Sequence, residues 1–196
     1  HVNLMEKTPI EAIRNNIGGI LNLTKNSIKE NVDKFVLVSS DKAVEPTNVM
    51  GATKRISEMI ISQMKDTKNT KFTSVRFGNV LGSDGSVVPI FQKQIEQGGP
   101  VTVTDPKVDR FFMTAHEAAG LILSAAEFGN NKEIFLLDMG KPINISFLAK
   151  TMIELSGFIP NKDIEIVYTG LKPGEKLFEE LIIDAKSEKT KNPLIF

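Results

Sequence analysis

Ile10, Ile13, Ile17, Ile20, Leu21, Thr24 and Ile28 recur at helical spacing between Pro9, a favoured first-turn residue, and the polar run Lys29-Glu30-Asn31. The spacing predicts one long amphipathic helix. Phe35-Val36-Leu37-Val38 is a continuous β-rich run ending at Ser39-Ser40-Asp41, as expected for a parallel strand buried on both faces. A second apolar stripe, Ala52, Ile56, Met59, Ile60 and Met64, follows Pro46 and the candidate caps Thr47 and Asn48, and predicts a crossover helix. Phe72-Thr73-Ser74-Val75-Arg76-Phe77 reads as the next strand, and Gly78, Gly82 and Gly85 mark the loop after it. The pattern then predicts a helix over 88–97, the turn Gly98-Gly99-Pro100, a strand over 101–104 and a helix over 115–128. In the last third a strand over 133–137, a helix over 145–155, a strand over 164–168 and a helix over 175–183 continue the alternation. No repeat or low-complexity linker interrupts it, which points to one α/β body whose later elements form a lobe over the strand ends.

Composition narrows the chemistry. At 196 residues, 41% hydrophobic and 24% charged, the chain can build one sizeable core or a large domain plus a small one. Lys+Arg and Asp+Glu are both 24, and no cationic cluster stands out, so nucleic acid is not an expected partner. The absence of cysteine removes disulfides and thiolate metal sites. Two histidines, His1 and His116, leave no zinc or nucleophile–histidine constellation, and His116 at a helix start reads as structural. The most apolar window, 115–126, is broken by His116, Glu117, Gly120 and Ser124, well short of the roughly 18 to 20 apolar residues that span a bilayer. His1 is followed by neither an initiator Met nor a signal segment, so the chain is expected to begin inside something larger.

The polar segment Ser39-Ser40-Asp41-Lys42 leaves a strand tip, where open α/β sheets place their chemistry. Met50 and Lys54 lie four residues apart and share a helix face. In short-chain dehydrogenase/reductases that pair is Tyr and Lys, the Tyr exchanging the hydroxyl proton and the Lys lowering its pKa and holding the nicotinamide ribose. Met cannot exchange a proton, and by itself is compatible with core packing. Asn16 with Gly18 and Gly19 reads equally as close helix–sheet packing or as a buried amide supporting the site.

Several motifs together carry a resemblance. They are Val38-Ser39-Ser40-Asp41-Lys42-Ala43-Val44, Pro46-Thr47-Asn48-Val49-Met50-Gly51-Ala52-Thr53-Lys54-Arg55, Arg76-Phe77-Gly78-Asn79-Val80-Leu81-Gly82-Ser83 and Gly85-Ser86-Val87-Val88-Pro89. Gly98-Gly99-Pro100-Val101-Thr102-Val103-Thr104, Arg110-Phe111-Phe112-Met113-Thr114 and Lys172-Pro173-Gly174-Glu175-Lys176-Leu177 extend them over nearly the whole chain. In this order they resemble the CapD-like nucleoside-diphosphate-sugar 4,6-dehydratases of polysaccharide and glycoprotein-glycan biosynthesis, extended short-chain dehydrogenases. Met50 resembles the large, membrane-anchored branch.

The resemblance implies an incomplete Rossmann-like, doubly wound parallel sheet with a smaller C-terminal substrate-binding lobe. Residues 1–85 would be the C-terminal half of the dinucleotide-binding fold with the catalytic motif, and 86–196 mainly the substrate lobe, interleaved with the last sheet elements. It implies a lyase that dehydrates a UDP-N-acetylhexosamine, such as UDP-N-acetylglucosamine, to a 4-keto-6-deoxy sugar nucleotide for capsule, O-antigen or glycan synthesis. Asp41 and Lys42 would be the acid and base of the elimination, Ser40 would hydrogen-bond the sugar 4-oxygen, and Met50 would stand beside them. Lys42 can act as a base only with its pKa drawn below the free value of about 10.4. Lys54 and Ser39 would contact NAD or NADP. Asn79, Arg110 and Lys172 would bind the diphosphate, Glu175 the uridine ribose, and Ser86, Val88, Pro89 and Thr104 would line the same substrate site. Lys172 departs from the Arg usual in this motif and offers a point charge without a bidentate fork.

No Gly-x-Gly-x-x-Gly follows a strand in this sequence, so the glycine-rich half of the cofactor site is expected upstream, and the fragment is expected to be inactive alone. The implied location is cytoplasmic, with membrane attachment only through upstream segments, and a homo-oligomer is compatible. A sugar-nucleotide 4-epimerase and a non-catalytic dinucleotide-sensing scaffold are the alternatives. The first would keep Tyr at position 50, and the second has no use for Lys42.

Overall fold

The computed structural model describes residues 2–64, 67, 69–180 and 188–196. The first elements are α1 (Val2–Lys7), α2 (Pro9–Ala12), a π-helical stretch (Ile13–Gly18), α3 (Gly19–Lys29), β1 (Lys34–Val38), a 3-10 turn (Asp41–Ala43), α4 (Val49–Gln63) and β2 (Lys71–Arg76). They are followed by β3 (Asn79–Val80), α5 (Val87–Glu96), β4 (Val101–Val103), β5 (Asp109–Arg110), β6 (Phe112–Met113) and α6 (Ala115–Phe128). The last are β7 (Ile134–Leu136), β8 (Ile143–Asn144), α7 (Ile145–Leu155) and β9 (Ile166–Tyr168).

These elements form two compact units: His1–Gly78 with His116–Asp138 and Glu180–Phe196, and Asn79–Ala115 with Met139–Glu179. In the first unit, β1, β2 and β7 form a parallel sheet in that order, with Phe35 opposite Phe72 and Arg76 opposite Leu136. Side chains alternate faces along a strand, so Phe35, Leu37, Ser39, Phe72 and Arg76 share one face. Ile20 of α3 and Ile61 of α4 join Leu37 and Phe72 there in a buried cluster. On the opposite face Phe128 of α6 meets Phe135 of β7 edge-on, with ring centroids 5.6 Å apart. Helices on both faces of a parallel sheet make this α/β body Rossmann-like and doubly wound.

The second unit holds the parallel pairs β3–β6 and β4–β9 and the antiparallel pair β5–β8. Its core gathers Phe91 and Ile95 of α5, Val101 and Val103 of β4, and Ile145, Ala149 and Ile153 of α7.

Two expectations are corrected. The single helix predicted from Pro9 to Ile28 is interrupted by the π-helical Ile13–Gly18, so its apolar positions do not form one buried stripe. Ile20 and Thr24 are buried, whereas Ile10 is 64% and Ile13 49% exposed. The helix predicted over 175–183 is absent from 175–180, and 181–183 lie outside the described residues. The carbonyls of Lys176 and Leu177 accept hydrogen bonds from the Arg110 guanidinium instead of from a following helical turn, and Leu177 also accepts from the Asp109 N–H. Among the described residues no helix is long and apolar enough to cross a membrane.

Candidate active site

Beyond the last residue of β1, the backbone ladder continues. Ser39 N–H donates to Val75 O at 2.7 Å and Asp41 N–H to Phe77 O at 3.1 Å, so the segment stays attached to β2 as it turns. Ser40 caps the 3-10 turn Asp41–Ala43, and Ala43 and Val44 are fully buried beneath it. Helix α4 then begins at Asn48, whose side chain accepts from Gly51 N–H at 2.8 Å, while the Glu6 carboxylate accepts from Val49 N–H. Of the two candidate caps, Asn48 fills the position.

Asp41 is 1% exposed. Its Oδ1 accepts from Ser40 Oγ at 2.8 Å, Lys42 N–H at 2.8 Å and Lys42 Nζ at 3.0 Å. Its Oδ2 is buried with no hydrogen-bond partner. All donors therefore converge on one oxygen, and the other retains the capacity to carry or accept a proton. Ser40, expected at a sugar oxygen, spends its hydroxyl proton on Asp41 in this structure.

One face of α4 addresses the same strand tip. Lys54 Nζ donates to the Val38 carbonyl at 2.9 Å, which leaves an ammonium with two further N–H groups beside the end of β1. That donor set fits a ribose diol, so the residues present suit the nicotinamide-ribose end of a dinucleotide. Burial lowers the Lys54 pKa from its ordinary value, and the Glu58 carboxylate opposes that shift. Met50 lies one turn earlier, half-buried, and its carbonyl accepts from Thr53 Oγ1 at 2.8 Å.

Ser39, expected at the cofactor, reaches α4. Its hydroxyl donates to Glu58 Oε1 at 2.6 Å. Glu58 is 1% exposed and receives Arg76 Nε at 2.7 Å, Arg76 Nη2 at 2.6 Å and Arg55 Nη1 at 3.1 Å. Desolvation is the largest single influence and pushes the Glu58 pKa up. Hydrogen bonds from Arg76, Ser39 and Arg55, with the Arg76 charge, outweigh it and hold the carboxyl below its ordinary value. Glu58 was not among the expected site residues. The available signal was Arg76, a charge inside an otherwise buried strand, which demands a buried partner. Asn16 of the π-helical stretch also reaches α4, donating to Thr53 Oγ1 at 2.8 Å, and its carbonyl accepts from Ser57 Oγ. The amide is thus a tie between helices.

The second unit brings Thr104, Arg110, Lys172 and Glu175 together. Glu175 Oε1 accepts from Thr104 Oγ1 and Arg110 Nη2, both at 3.0 Å, and its Oε2 accepts from the Lys172 N–H at 3.2 Å. Arg110 is 9% exposed rather than a surface charge, and it also donates to the carbonyls of Asp109, Lys176 and Leu177. Asn79 donates to Phe111 O at 3.2 Å, next in sequence to Arg110. Ser86 caps α5, with Val88 and Pro89 in the first turn, but its hydroxyl is buried without a partner. Among the described residues, no three or more His, Asp or Glu side chains come together to hold a metal ion.

The chain resembles known proteins along most of its length. The chain is 56% identical over 183 residues to the capsular polysaccharide biosynthesis protein CapD of Staphylococcus aureus, covering 93% of this chain and 30% of that protein. It is 38% identical over 177 residues to the UDP-glucose 4-epimerase of Rickettsia canadensis, covering 89% of this chain and 50% of the epimerase. The X-ray structure of Pen from Bacillus thuringiensis superposes with a TM-score of 0.86 at 43% identity, covering 93% of this chain and 57% of that one. The chain therefore spans about a third to just over half the length of these relatives. The polysaccharide biosynthesis protein family profile matches residues 1–196. With that match along its whole length, the chain belongs to the polysaccharide biosynthesis protein family, in its CapD-like, short-chain dehydrogenase/reductase branch.

Proposed function

We propose that this chain carries the acid–base and substrate-binding residues of an NAD(P)-dependent enzyme that dehydrates a UDP-N-acetylhexosamine, UDP-N-acetylglucosamine foremost, to a 4-keto-6-deoxy sugar nucleotide. The observation that carries the reading is the asymmetric Asp41 carboxyl: three donors on Oδ1 and none on a buried Oδ2. NAD(P), when bound, would take hydride from C4 of the sugar and deliver it to C6 after water has left, C5 regaining a proton. Once C4 is a carbonyl, the C5 proton is acidified, and loss of water needs a base at C5 and an acid at the C6 hydroxyl. Lys42 takes the C5 proton. Asp41 gives a proton from Oδ2 to the departing hydroxyl. Lys54 holds the ribose hydroxyls, and Met50 takes no part in proton transfer because a thioether has no proton to exchange. Arg110 and Lys172 hold the diphosphate, and Glu175 the uridine ribose, with Asn79, Ser86, Val88, Pro89 and Thr104 shaping the site.

The 38% identity to a UDP-glucose 4-epimerase favours a second reading, epimerisation at C4. Epimerisation removes and returns hydride on opposite faces and has no use for an acid–base pair acting at C5 and C6. Incubating the protein that contains this chain with UDP-N-acetylglucosamine and NAD(P) separates the two by mass spectrometry. A product lighter by one water and labelled with solvent deuterium at C5 is expected. A product of unchanged mass with inverted C4 would establish the epimerase, and cofactor binding without turnover of any UDP-sugar would establish a scaffold. Met50→Leu, of similar volume, should retain most activity in the same assay, whereas Lys54→Ala should abolish it.

A further inference from the structure

Glu58 lies one turn beyond Lys54 on α4, and its two carboxylate oxygens accept four hydrogen bonds from three different elements. Arg76 provides two of them from the end of β2, Arg55 one from α4 itself, and Ser39 one from the segment directly before Ser40-Asp41-Lys42. A buried ion pair is a weak device for stability, since desolvation consumes most of its Coulombic gain. This one joins the groups on either side of the candidate chemistry. Ser39 is the residue through which β1 becomes the acid–base turn, and its N–H is also bonded to β2. We propose that Glu58 is a positioning residue that acts on the site in two ways, anchoring the acid–base turn through Ser39 and keeping Lys54 an ammonium through its charge.

The first action is geometric. With its hydroxyl proton on Glu58 and its N–H on Val75 O, Ser39 is held by side chain and backbone at once, so the turn that follows starts from a fixed point. The second action is electrostatic. Burial disfavours the Lys54 charge, and Glu58 is the carboxylate that offsets it. The elements packed around α4 carry other charged groups: Arg55 on the helix itself, Lys71 and Arg76 on β2, Asp41 and Lys42 on the turn, Glu6 and Lys7 on α1, Glu11 on α2, Arg14 in the π-helical stretch and Lys34 on β1. Arg55 and Arg76 are bonded to Glu58 itself, Asp41 Oδ1 to Lys42, and Glu6 to Val49 N–H.

The inference rests on Lys42, Asp41 and Lys54 being the reacting and cofactor-holding groups, and its test reads Lys54 independently of turnover. In the protein that contains this chain, the pH dependence of Lys54 acetylation by acetic anhydride is followed by peptide mass spectrometry. The wild type is compared with Glu58→Gln and with Glu58→Gln/Arg76→Gln, which leaves no orphaned buried charge should the single variant fail to fold. The midpoint is expected to move to lower pH in Glu58→Gln, and by less in the double variant, which also loses the Arg76 cation. Ser39→Ala, which cuts the tether and spares the ion pair, is expected to lower kcat about tenfold with KM for the sugar nucleotide unchanged, since small misplacement of reacting groups is costly. An unchanged Lys54 midpoint, or wild-type kcat in Ser39→Ala, overturns the inference. A wild type that turns over no UDP-sugar but shows the midpoint shift refutes the proposed reaction and leaves the electrostatic action of Glu58 standing.

Discussion

A Cβ built on Gly51 lies 2.1 Å from the carbonyl oxygen of Lys42 and 3.2 Å from the Pro46 Cβ. Helix α4 can approach the acid–base turn only because that position has no side chain. Both obstacles are stiff, a backbone carbonyl and a proline ring, so Gly51→Ala must push the turn and the helix apart. A loss of about 1 to 3 kcal/mol in urea unfolding is expected, together with a loss of turnover larger than that stability change explains. Wild-type turnover in Gly51→Ala would show that the turn tolerates displacement.

Asp41→Asn and Lys42→Ala should each reduce product formation by at least about 100-fold, the scale for losing a positioned acid or base. UDP binding should be unchanged, because neither side chain belongs to the Arg110–Glu175 group. Asn retains the acceptor that Ser40 and Lys42 use on Oδ1, so a folded, binding-competent but inactive Asp41→Asn protein is the expected result. Single-turnover assays with calorimetric UDP titration check both halves.

Arg110 and Lys172 should behave differently although both are assigned to the diphosphate. Arg110 is buried and ties down Glu175 and the carbonyls of Lys176 and Leu177, so Arg110→Ala should lower both stability and UDP affinity. Lys172 is exposed, and Lys172→Ala should weaken UDP binding by about 1 to 3 kcal/mol while leaving the unfolding midpoint in place. Urea melts run beside calorimetric titrations separate the two effects.

Both displaced pKa values make stability rise with pH, one at the acid end of the scale and one at the alkaline end. Glu58 is held below its ordinary 4.5, so the stability it contributes is present above that value and is lost as pH falls through its folded value. Lys54 is held below 10.5, so the unfolded chain keeps that proton longer and stability rises as pH climbs from the folded value toward 10.5. Unfolding free energies measured against pH should lose the acid-side slope in Glu58→Gln and the alkaline-side slope in Lys54→Met.

How far the sequence discloses this molecule depends on how local each feature is. Strands β1 and β2, helix α4 and the Asp41-Lys42 turn are legible because short apolar runs, a capping Asn48 and a polar strand end lie within a few positions of one another. The Glu58–Arg76 pair joins residues 18 apart, and each charge taken alone resembles a solvated side chain. Arg110 reaches 65 residues ahead to Glu175, and its hold on the carbonyls of Lys176 and Leu177 overrides the helical periodicity there. The glutamate interior to α4 and the absence of helix over 175–180 share one cause: a guanidinium supplied from far away in the chain.

The π-helical Ile13–Gly18 makes length the tolerant property of the first long helix. A π turn accommodates one residue more than an α turn, and successive residues of an α-helix sit about 100° apart around the axis. Deleting a single residue between Ile13 and Asn15 would let the stretch relax to regular α-helix with the segments on either side still facing as they do, whereas the same deletion in a regular helix such as α4 would turn one flank by about that angle. Asn16 would keep its bond to Thr53, and Glu6 its place at the Val49 N–H. A one-residue gap in mid-helix, ordinarily a sign of misalignment, would here mark relatives that lack the wide turn.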